Sequence, residues 1–364
     1  MTTMRDLRDM MRPHLYNPTG YLGAQHSDHL ATAAGIDPED VIRLNANENP
    51  YEPLQEITDA LIGLPIHEYP DQDLVRMREA LSEYTGRPTE QIIAGSGGDE
   101  IIELLTKLFV APGESMIDCP PTFGMYEFCA RIAEAELIAV ERSDDWEIDI
   151  DATTEAIDRT GAKILFIASP NNPTGNLLPD KDARAILDTG IVLVVDETYY
   201  EFCGETSAGL LDEYENLVVI RSFSKWAGIA GLRVGYAVGS ELIIDHLMTI
   251  KQPYNLNIAA ESAALAALDN KAKLMSRIDT LTNERKRVES VIDELPGISY
   301  SPSTANYLLM KFDGRSGDEV YEYLARRGIF ARKFSGRRLE NSIRVSVGTP
   351  SQNDMVIQAL QELV

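Results

Sequence analysis

Residues 191–199 read IVLVVDETY. The five apolar residues that open this stretch predict a fully buried strand, and such strands are typical of parallel sheets with helices on both faces. Asp196 and Tyr199 follow at the carboxyl end of the strand, which is the edge where open α/β sheets bind their ligands. The stretch therefore predicts both an α/β fold and the position of a site.

A second polar group follows further along the chain, where residues 222–225 read SFSK and Arg233 stands in GLRVG. An amine can bind an aldehyde, and hydroxyl and guanidinium groups can bind a phosphate. A carboxylate such as Asp196 can keep a pyridine nitrogen protonated, and Tyr199 can bind the phenolic oxygen of the same ring. Asp196 alone could be a helix cap and a lysine alone could be solvated, but together they predict a site for pyridoxal 5'-phosphate.

A glycine-rich turn precedes both groups. Residues 95–100 read GSGGDE and lie between a predicted strand and a predicted helix. Backbone N–H groups at such a helix N-terminus can hold a phosphate. The turn differs from a dinucleotide-binding pattern because Glu100 stands where the third glycine would be. The glycines alone could serve only a tight turn, but beside residues 222–225 we interpret them as further donors to the same phosphate.

The order of predicted elements divides the chain in two. Strands alternate with helices between about residues 91 and 238, which predicts a mainly parallel, doubly wound sheet. After Pro253 come long helices and then short strands, which predict a smaller α+β domain. At 364 residues the chain is long enough for two domains. We expect a large domain at 52–255 and a small domain made of 1–51, with an N-terminal arm, and 256–364.

Composition excludes several classes of protein. The net charge of −25 disfavours nucleic acid and anionic membranes as partners, so sites for anions must be built locally from a few arginines. No apolar run approaches the ~20 residues of a membrane span. The three cysteines and five histidines show no metal-ligand spacing. We therefore expect a cytoplasmic protein without a metal; whether its acidity serves solubility or adaptation to salt stays open.

Several strings resemble one known family over nearly the whole chain: the fold-type I, pyridoxal-phosphate-dependent aminotransferases of class I/II. The strings are LNANENPY at 44–51, YPD at 69–71, GSGGDE at 95–100, PTFGMY at 121–126, NNPTG at 171–175, DETY at 196–199, SFSK at 222–225, PYN at 253–255 and RVSVGT at 344–349. The strings at 44–51 and 253–255 are similar to those of the family branch that acts on histidinol phosphate.

The resemblance implies a role for each matching residue. Catalysis would rest on Lys225 as covalent anchor and general acid/base, with Asp196 at the pyridine nitrogen and Tyr199 at the ring oxygen. The cofactor phosphate would be held by Gly98, Asp99, Ser222, Ser224 and Arg233. The ring would be held by Phe123 on its face and Asn172 at its oxygen. The substrate would be held by Tyr21, Asn47, Tyr254, Arg332 and Arg344. Tyr69 would reach the phosphate in the neighbouring subunit, which implies a homodimer.

The implied reaction converts histidinol phosphate and 2-oxoglutarate to imidazole acetol phosphate and glutamate, as in histidine biosynthesis. Two departures bear on the substrate: residues 96–98 read SGG where relatives often have Asn-Gly-Ser, and Lys333 replaces the usual proline. An aromatic amino-acid aminotransferase and a phospho-amino-acid decarboxylase therefore stay open. A regulatory protein that only binds the cofactor is disfavoured, because the fold fills the chain and the net charge is −25.

Overall fold

The structure is a computed structural model that describes residues 6–16, 20, 23, 25–336 and 338–364. The α-helices are α1 Ser27–Ala34, α2 Gln55–Asp59, α3 Val75–Thr85, α4 Gly97–Phe109, α5 Met125–Ile132, α6 Ile150–Thr160, α7 Asp180–Leu187, α8 Tyr200–Cys203, α9 Glu241–Ile250, α10 Ile258–Asp269, α11 Lys271–Ile292, α12 Gly317–Ala325 and α13 Pro350–Leu363. The strands are β1 Ile42–Arg43, β2 Ile92–Gly95, β3 Ser115–Asp118, β4 Glu136–Ala139, β5 Ile164–Ala168, β6 Val192–Asp196, β7 Leu217–Ser222, β8 Gly235–Gly239, β9 Ile298–Ser301, β10 Tyr307–Phe312, β11 Ile329–Phe330, β12 Arg332–Lys333 and β13 Ser342–Ser346. Short 3-10 helices lie at Leu7–Met10, Pro13–Leu15, Pro38–Asp40, Thr89–Gln91, Ala208–Asp212 and Ala230–Leu232.

A seven-stranded sheet occupies the first half of the fold, in the order β2-β8-β7-β6-β5-β3-β4. β8 runs antiparallel to both of its neighbours, and the pairs from β7 to β4 are parallel. The predicted mainly parallel α/β sheet is therefore confirmed. β6 is the central strand, so Asp196 at its end lies in the middle of the carboxyl edge.

Both faces of this sheet are covered, which explains its long apolar runs. Every residue of β5 is buried, from Ile164 to Ala168. Phe166 and Val194 pack on one face with α4 and α5, whereas Leu165 and Val195 pack on the other with α6 and α7. Since side chains alternate between faces, a strand buried on both sides needs apolar residues at nearly every position.

The apolar and charged residues of helix α4 determine how it packs on the sheet. Ile101, Leu104 and Leu105 recur at helical spacing and are buried against the sheet. Asp99 and Glu100 lie in its first turn and Lys107 in its last, which places each charge favourably in the field of the helix dipole. The helix thus directs its N-terminus toward the carboxyl edge of the sheet.

The C-terminal part of the chain forms a separate antiparallel sheet in the order β12-β13-β10-β9. Residues near the N-terminus contact this sheet: β1 pairs in parallel with β11 as a separate two-stranded sheet, and the Ser346 amide donates to the Leu44 carbonyl at 2.9 Å. Leu44 packs in the same apolar cluster as α12, α13 and β10. Among the described residues, we find no helix that is both long and apolar enough to cross a membrane.

Candidate active site

A cavity of about 850 Å³ opens at the carboxyl edge of the central sheet. Most of the residues singled out from the sequence line it, although they come from distant parts of the chain. They are Asn47, Gly98, Asp99, Phe123, Asn172, Asp196, Tyr199, Ser222, Ser224, Lys225, Arg233, Arg332 and Arg344. The structure therefore brings the predicted amine, carboxylate, hydroxyl and guanidinium groups together.

Lys225 lines this cavity and is partly buried. Its Nζ donates to the Ala46 carbonyl at 2.9 Å. Burial, and next the positive charge of Arg344, lower the pKa of Lys225 to about 8. A large share of the amine is therefore neutral near neutral pH, and only a neutral amine can attack a carbonyl carbon.

Asp196 ends β6 and is held by donors on both oxygens. The Tyr126 hydroxyl donates to Oδ2 at 2.9 Å, and the Thr198 backbone and side chain donate to Oδ1 at 3.0 and 2.6 Å. Burial raises the pKa of Asp196, and these hydrogen bonds oppose the rise. A cation placed beside the carboxylate would favour its ionised form still further.

The N-terminus of α4 and Arg233 form one end of the cavity. The chain turns at Gly97 with φ +78°, and a β-carbon there would lie 2.5 Å from the Arg233 guanidinium, so the close approach requires glycine. Arg233 Nη2 donates to Asp99 Oδ2 at 2.6 Å. The Asp99 carboxylate thus orients the Arg233 guanidinium. The backbone N–H of Asp99 is the group that could donate to an anion.

Two serines at the end of β7 add hydroxyl groups to this end of the cavity. Ser222 Oγ donates to Ser224 Oγ at 2.9 Å and accepts from the Ser224 backbone N–H at 3.1 Å. Both residues are buried and lie directly before Lys225. Helix amides, hydroxyls and a guanidinium form a donor set suited to a phosphate group.

Arg344 of β13 also lines the cavity. Its Nη1 donates to Asn172 Oδ1, and its Nη2 donates to the Asn45 carbonyl at 2.9 Å. Its guanidinium carbon lies 5.4 Å from the centre of the Tyr307 ring. These contacts fix a planar cation that faces the cavity and is suited to a carboxylate.

Two of the predicted substrate or phosphate ligands do not line the cavity. Tyr69 is 80% exposed and stacks on Tyr254, with 4.5 Å between ring centres, and neither residue lines the cavity of its own subunit. Tyr21 lies outside the described residues. Asn47, predicted to bind substrate, is 1% exposed and donates through Nδ2 to the Tyr199 hydroxyl oxygen at 2.9 Å.

Sequence reasoning missed groups whose roles depend on distant partners. Tyr126 was part of a matching string, yet nothing local shows that its hydroxyl reaches Asp196. The Asn45 and Ala46 carbonyls likewise accept from Arg344 and Lys225, which are remote in sequence. Asp118 also lines the cavity, and burial raises its pKa to about 7. A buried carboxyl after an apolar strand is the signal that could have identified it.

The residues present fit pyridoxal 5'-phosphate, judged on their own geometry. Gly97 lets the Arg233 guanidinium approach the N-terminus of α4, and the Ser222 and Ser224 hydroxyls line the same cavity, so these donors suit an anion. The cavity also brings an amine with a lowered pKa together with a buried carboxylate that accepts three hydrogen bonds. The amine suits an aldehyde, and the carboxylate suits a protonated ring nitrogen.

Comparison with known proteins agrees with this geometry. The family model "Aminotransferase class I and II" matches residues 39–360, so the chain belongs to that family. The family match confirms the predicted enzyme class, an aminotransferase that depends on pyridoxal 5'-phosphate.

Individual relatives are similar over nearly their full length. The chain is 42% identical to the histidinol-phosphate aminotransferase of Roseiflexus castenholzii, over 97% of this chain and 98% of the relative. It is 40% identical to the chloroplastic histidinol-phosphate aminotransferase of Nicotiana plumbaginifolia, over 96% of this chain and 86% of the relative. The crystal structure of the Sinorhizobium meliloti histidinol-phosphate aminotransferase in complex with pyridoxal-5'-phosphate superposes with a TM-score of 0.87 at 22% identity, over 97% of this chain and 98% of that one.

Proposed function

We propose that this aminotransferase interconverts histidinol phosphate and 2-oxoglutarate with imidazole acetol phosphate and glutamate, the reaction used in histidine biosynthesis. The two relatives that are 42% and 40% identical to this chain are named histidinol-phosphate aminotransferases. The observation that carries the proposal is that Arg332 and Arg344 line the same cavity as Lys225 and Arg233. This arrangement provides for a second anion beside the cofactor phosphate.

The proposed roles of the residues follow from their positions. When bound, the cofactor supplies an electron sink that makes the substrate Cα proton acidic. Lys225 anchors the cofactor and moves the proton at the substrate Cα, for which its amine must be neutral. Asp196 keeps the ring nitrogen protonated, and Tyr199 and Asn172 bind the ring oxygen. Phe123 covers the ring face.

The phosphate of the cofactor is held, in this proposal, by the amides of Gly98 and Asp99, the hydroxyls of Ser222 and Ser224, and Arg233. Arg344 alternates between two anions, because histidinol phosphate has no carboxylate whereas glutamate has one beside its amine. Arg332 supplies a further cation for the substrate phosphate. Substrate contacts by Tyr21 and Tyr254 stay predictions.

We further propose a cytoplasmic homodimer. Exposed apolar residues support a partner subunit: Ile62, Ile66, Tyr69 and Leu242 are each at least 66% exposed. Tyr69 would then complete the phosphate site of the partner. The division into a domain at 52–255 and one at 1–51 with 256–364 stays a prediction, supported by the central sheet lying within 92–239.

Purified protein incubated with histidinol phosphate and 2-oxoglutarate tests the reaction directly. We expect stoichiometric glutamate, and no glutamate from Lys225→Ala, which should still bind some cofactor through the phosphate site. Release of carbon dioxide without glutamate would identify a decarboxylase. Faster turnover of aromatic donors would identify the aromatic aminotransferase. A protein that turns yellow with added cofactor but shows no change in absorbance with any amino donor would favour the regulatory alternative.

Replacement of Arg344 by lysine tests how the site holds two anions. We expect Arg344→Lys to slow the glutamate half-reaction by about 10- to 100-fold, because a bidentate contact worth about 1.5–3 kcal/mol is lost. The histidinol-phosphate half-reaction should suffer less. Single-turnover rates of each half-reaction measure the difference, and equal losses would contradict the proposed role. Arg184→Lys, at a bidentate pair with Glu213 on the surface, is the matched control.

A further inference from the structure

Asn47 occupies an unusual position for a residue that was expected to touch substrate. It is 1% exposed and has a φ of 53°, a left-handed conformation that asparagine tolerates better than most residues. Its carbonyl accepts from Asn306 Nδ2 at 3.1 Å, and its amide N–H donates to Ser346 Oγ at 2.9 Å. Backbone and side chain are therefore held in one orientation.

Ser346 determines which way the side-chain amide of Asn47 points. Because Ser346 Oγ accepts the Asn47 backbone N–H, its own proton is available to Asn47 Oδ1, which lies 3.1 Å away. The amide oxygen thus faces Ser346, and the amide nitrogen faces Tyr199. Nδ2 donates to the Tyr199 hydroxyl oxygen at 2.9 Å.

This direction has a consequence for the Tyr199 proton. The Asn47 N–H that donates to the Tyr199 oxygen cannot accept the Tyr199 proton. Tyr199 can therefore donate that proton only to a different group. Tyr199 lines the cavity with Asn172 and Lys225. We propose that Asn47, held by Ser346, is a positioning residue that makes Tyr199 a hydrogen-bond donor to the ring oxygen of the cofactor. The inference rests on the proposed role of Tyr199 and deepens it.

The expected readout is a proton equilibrium at the cofactor. A hydrogen bond donated to the ring oxygen stabilises its negative charge and so favours the state that has lost the neighbouring proton. Loss of that donor should raise the pH midpoint at which the visible absorbance of the holoenzyme changes. A shift of about one pH unit corresponds to about 1.4 kcal/mol.

We would titrate holoenzyme carrying Asn47→Asp, Asn47→Ala, Ser346→Ala or Tyr199→Phe. Asn47→Asp should raise the midpoint most among the first three, by about one pH unit, because a carboxylate would accept the Tyr199 proton itself. Ser346→Ala should raise the midpoint less, because the Asn47 side-chain amide could then rotate and exchange the positions of Oδ1 and Nδ2. Asn47→Ala added to Tyr199→Phe should give no further shift.

The control is Asn216→Ala, whose amide donates to the Leu187 and Ile191 carbonyls at the opposite edge of the sheet. It should leave the midpoint unchanged, whatever it does to thermal unfolding. An unchanged midpoint in both Asn47→Asp and Ser346→Ala would overturn the proposal, as would additive shifts in the double variant. If Asn47→Asp does not fold, Ser346→Ala and the double variant decide the outcome. The glutamate assay is independent, so its failure would concern the substrate and not this hydrogen-bond chain.

Discussion

Lys225 shows how burial prepares a single side chain for chemistry. Its ammonium form is disfavoured by loss of water and by the charge of Arg344, while Ala46 offers it one neutral acceptor. The lowered pKa of about 8 predicts how capture of the cofactor depends on pH. Below that value the neutral fraction of the amine rises about tenfold for each pH unit, and above it the fraction is constant.

Apoprotein mixed with pyridoxal 5'-phosphate should therefore acquire its visible absorbance at a rate that increases with pH up to about 8 and then levels off. Stopped-flow absorbance between pH 6 and 10 measures this rate. A rate that still climbs steeply at the top of the range would indicate an ordinary lysine. Lys225→Ala, which has no amine at this position, should show no such change at any pH.

At the residue scale, the sequence could predict the groups that line the cavity but not those that orient them. Lys225, Asp196 and Ser222 stand at or just beyond strand ends, where local pattern and chemistry coincide. Asn47 was assigned to substrate, yet it is buried against Tyr199 and Ser346. Such pairings depend on how two distant segments pack, and no local periodicity encodes them.

Strands β6 and β7 are joined beside the site by a buried ion pair. Glu197 directly follows Asp196, and Arg221 directly precedes Ser222. Each member of the ion pair is therefore the sequence neighbour of a site residue. Arg221 Nη2 lies 2.9 Å from Glu197 Oε2, and the Arg221 guanidinium lies 3.5 Å from the centre of the Tyr200 ring. The pair thus links the two strand ends that carry Asp196 and Ser222.

Removal of one member of this pair should be costly. Arg221→Met leaves Glu197 as an unpaired charge in a buried place, which we expect to lower the free energy of unfolding by about 3–5 kcal/mol. Adding Glu197→Gln should recover much of the loss, because the side chain at 197 is then neutral. Urea unfolding followed by circular dichroism measures both variants. A double variant no more stable than the single one would contradict this account, and Arg184→Met at an exposed pair supplies the comparison.

At the element scale, the apolar run at 191–195 predicted β6 to within one residue, because burial on both faces leaves a clear signal. Strand direction was not predictable in the same way. β8 is antiparallel to its neighbours, although its run GYAVG looks like those of parallel strands. Direction follows from the connection, since only a short 3-10 helix separates β7 from β8.

The molecule as a whole is expected to be active only in pairs. If Tyr69 completes the site of the neighbouring subunit, then Tyr69→Ala and Lys225→Ala chains should complement each other. A hybrid of the two would contain one intact site and one doubly defective site. Random mixing should therefore restore about one quarter of the native activity.

Activity of the mixture, measured after co-expression and separation of hybrids by two different tags, tests this expectation. If Tyr69 serves the site of its own chain, hybrids would contain no intact site and would show no gain over the parent variants. Pairing Lys225→Ala with Asp196→Ala is the negative control, because both residues line one cavity of one chain and no intact site is expected in that hybrid. Recovery of dimers that carry both tags shows that hybrids form.

Contacts between segments that are distant in sequence constrain the order in which a ribosome can assemble this site. The Ile42 amide donates to the Gly328 carbonyl at 2.8 Å, and the Leu44 carbonyl accepts from Ser346. The segment that carries Ala46 and Asn47 is thus anchored to residues that are translated long after it. The central sheet can form while synthesis continues, but the Ala46 carbonyl is held beside Lys225 only after residues 328–346 have been translated. A nascent chain that stops before residue 328 should therefore form the sheet without this acceptor in place.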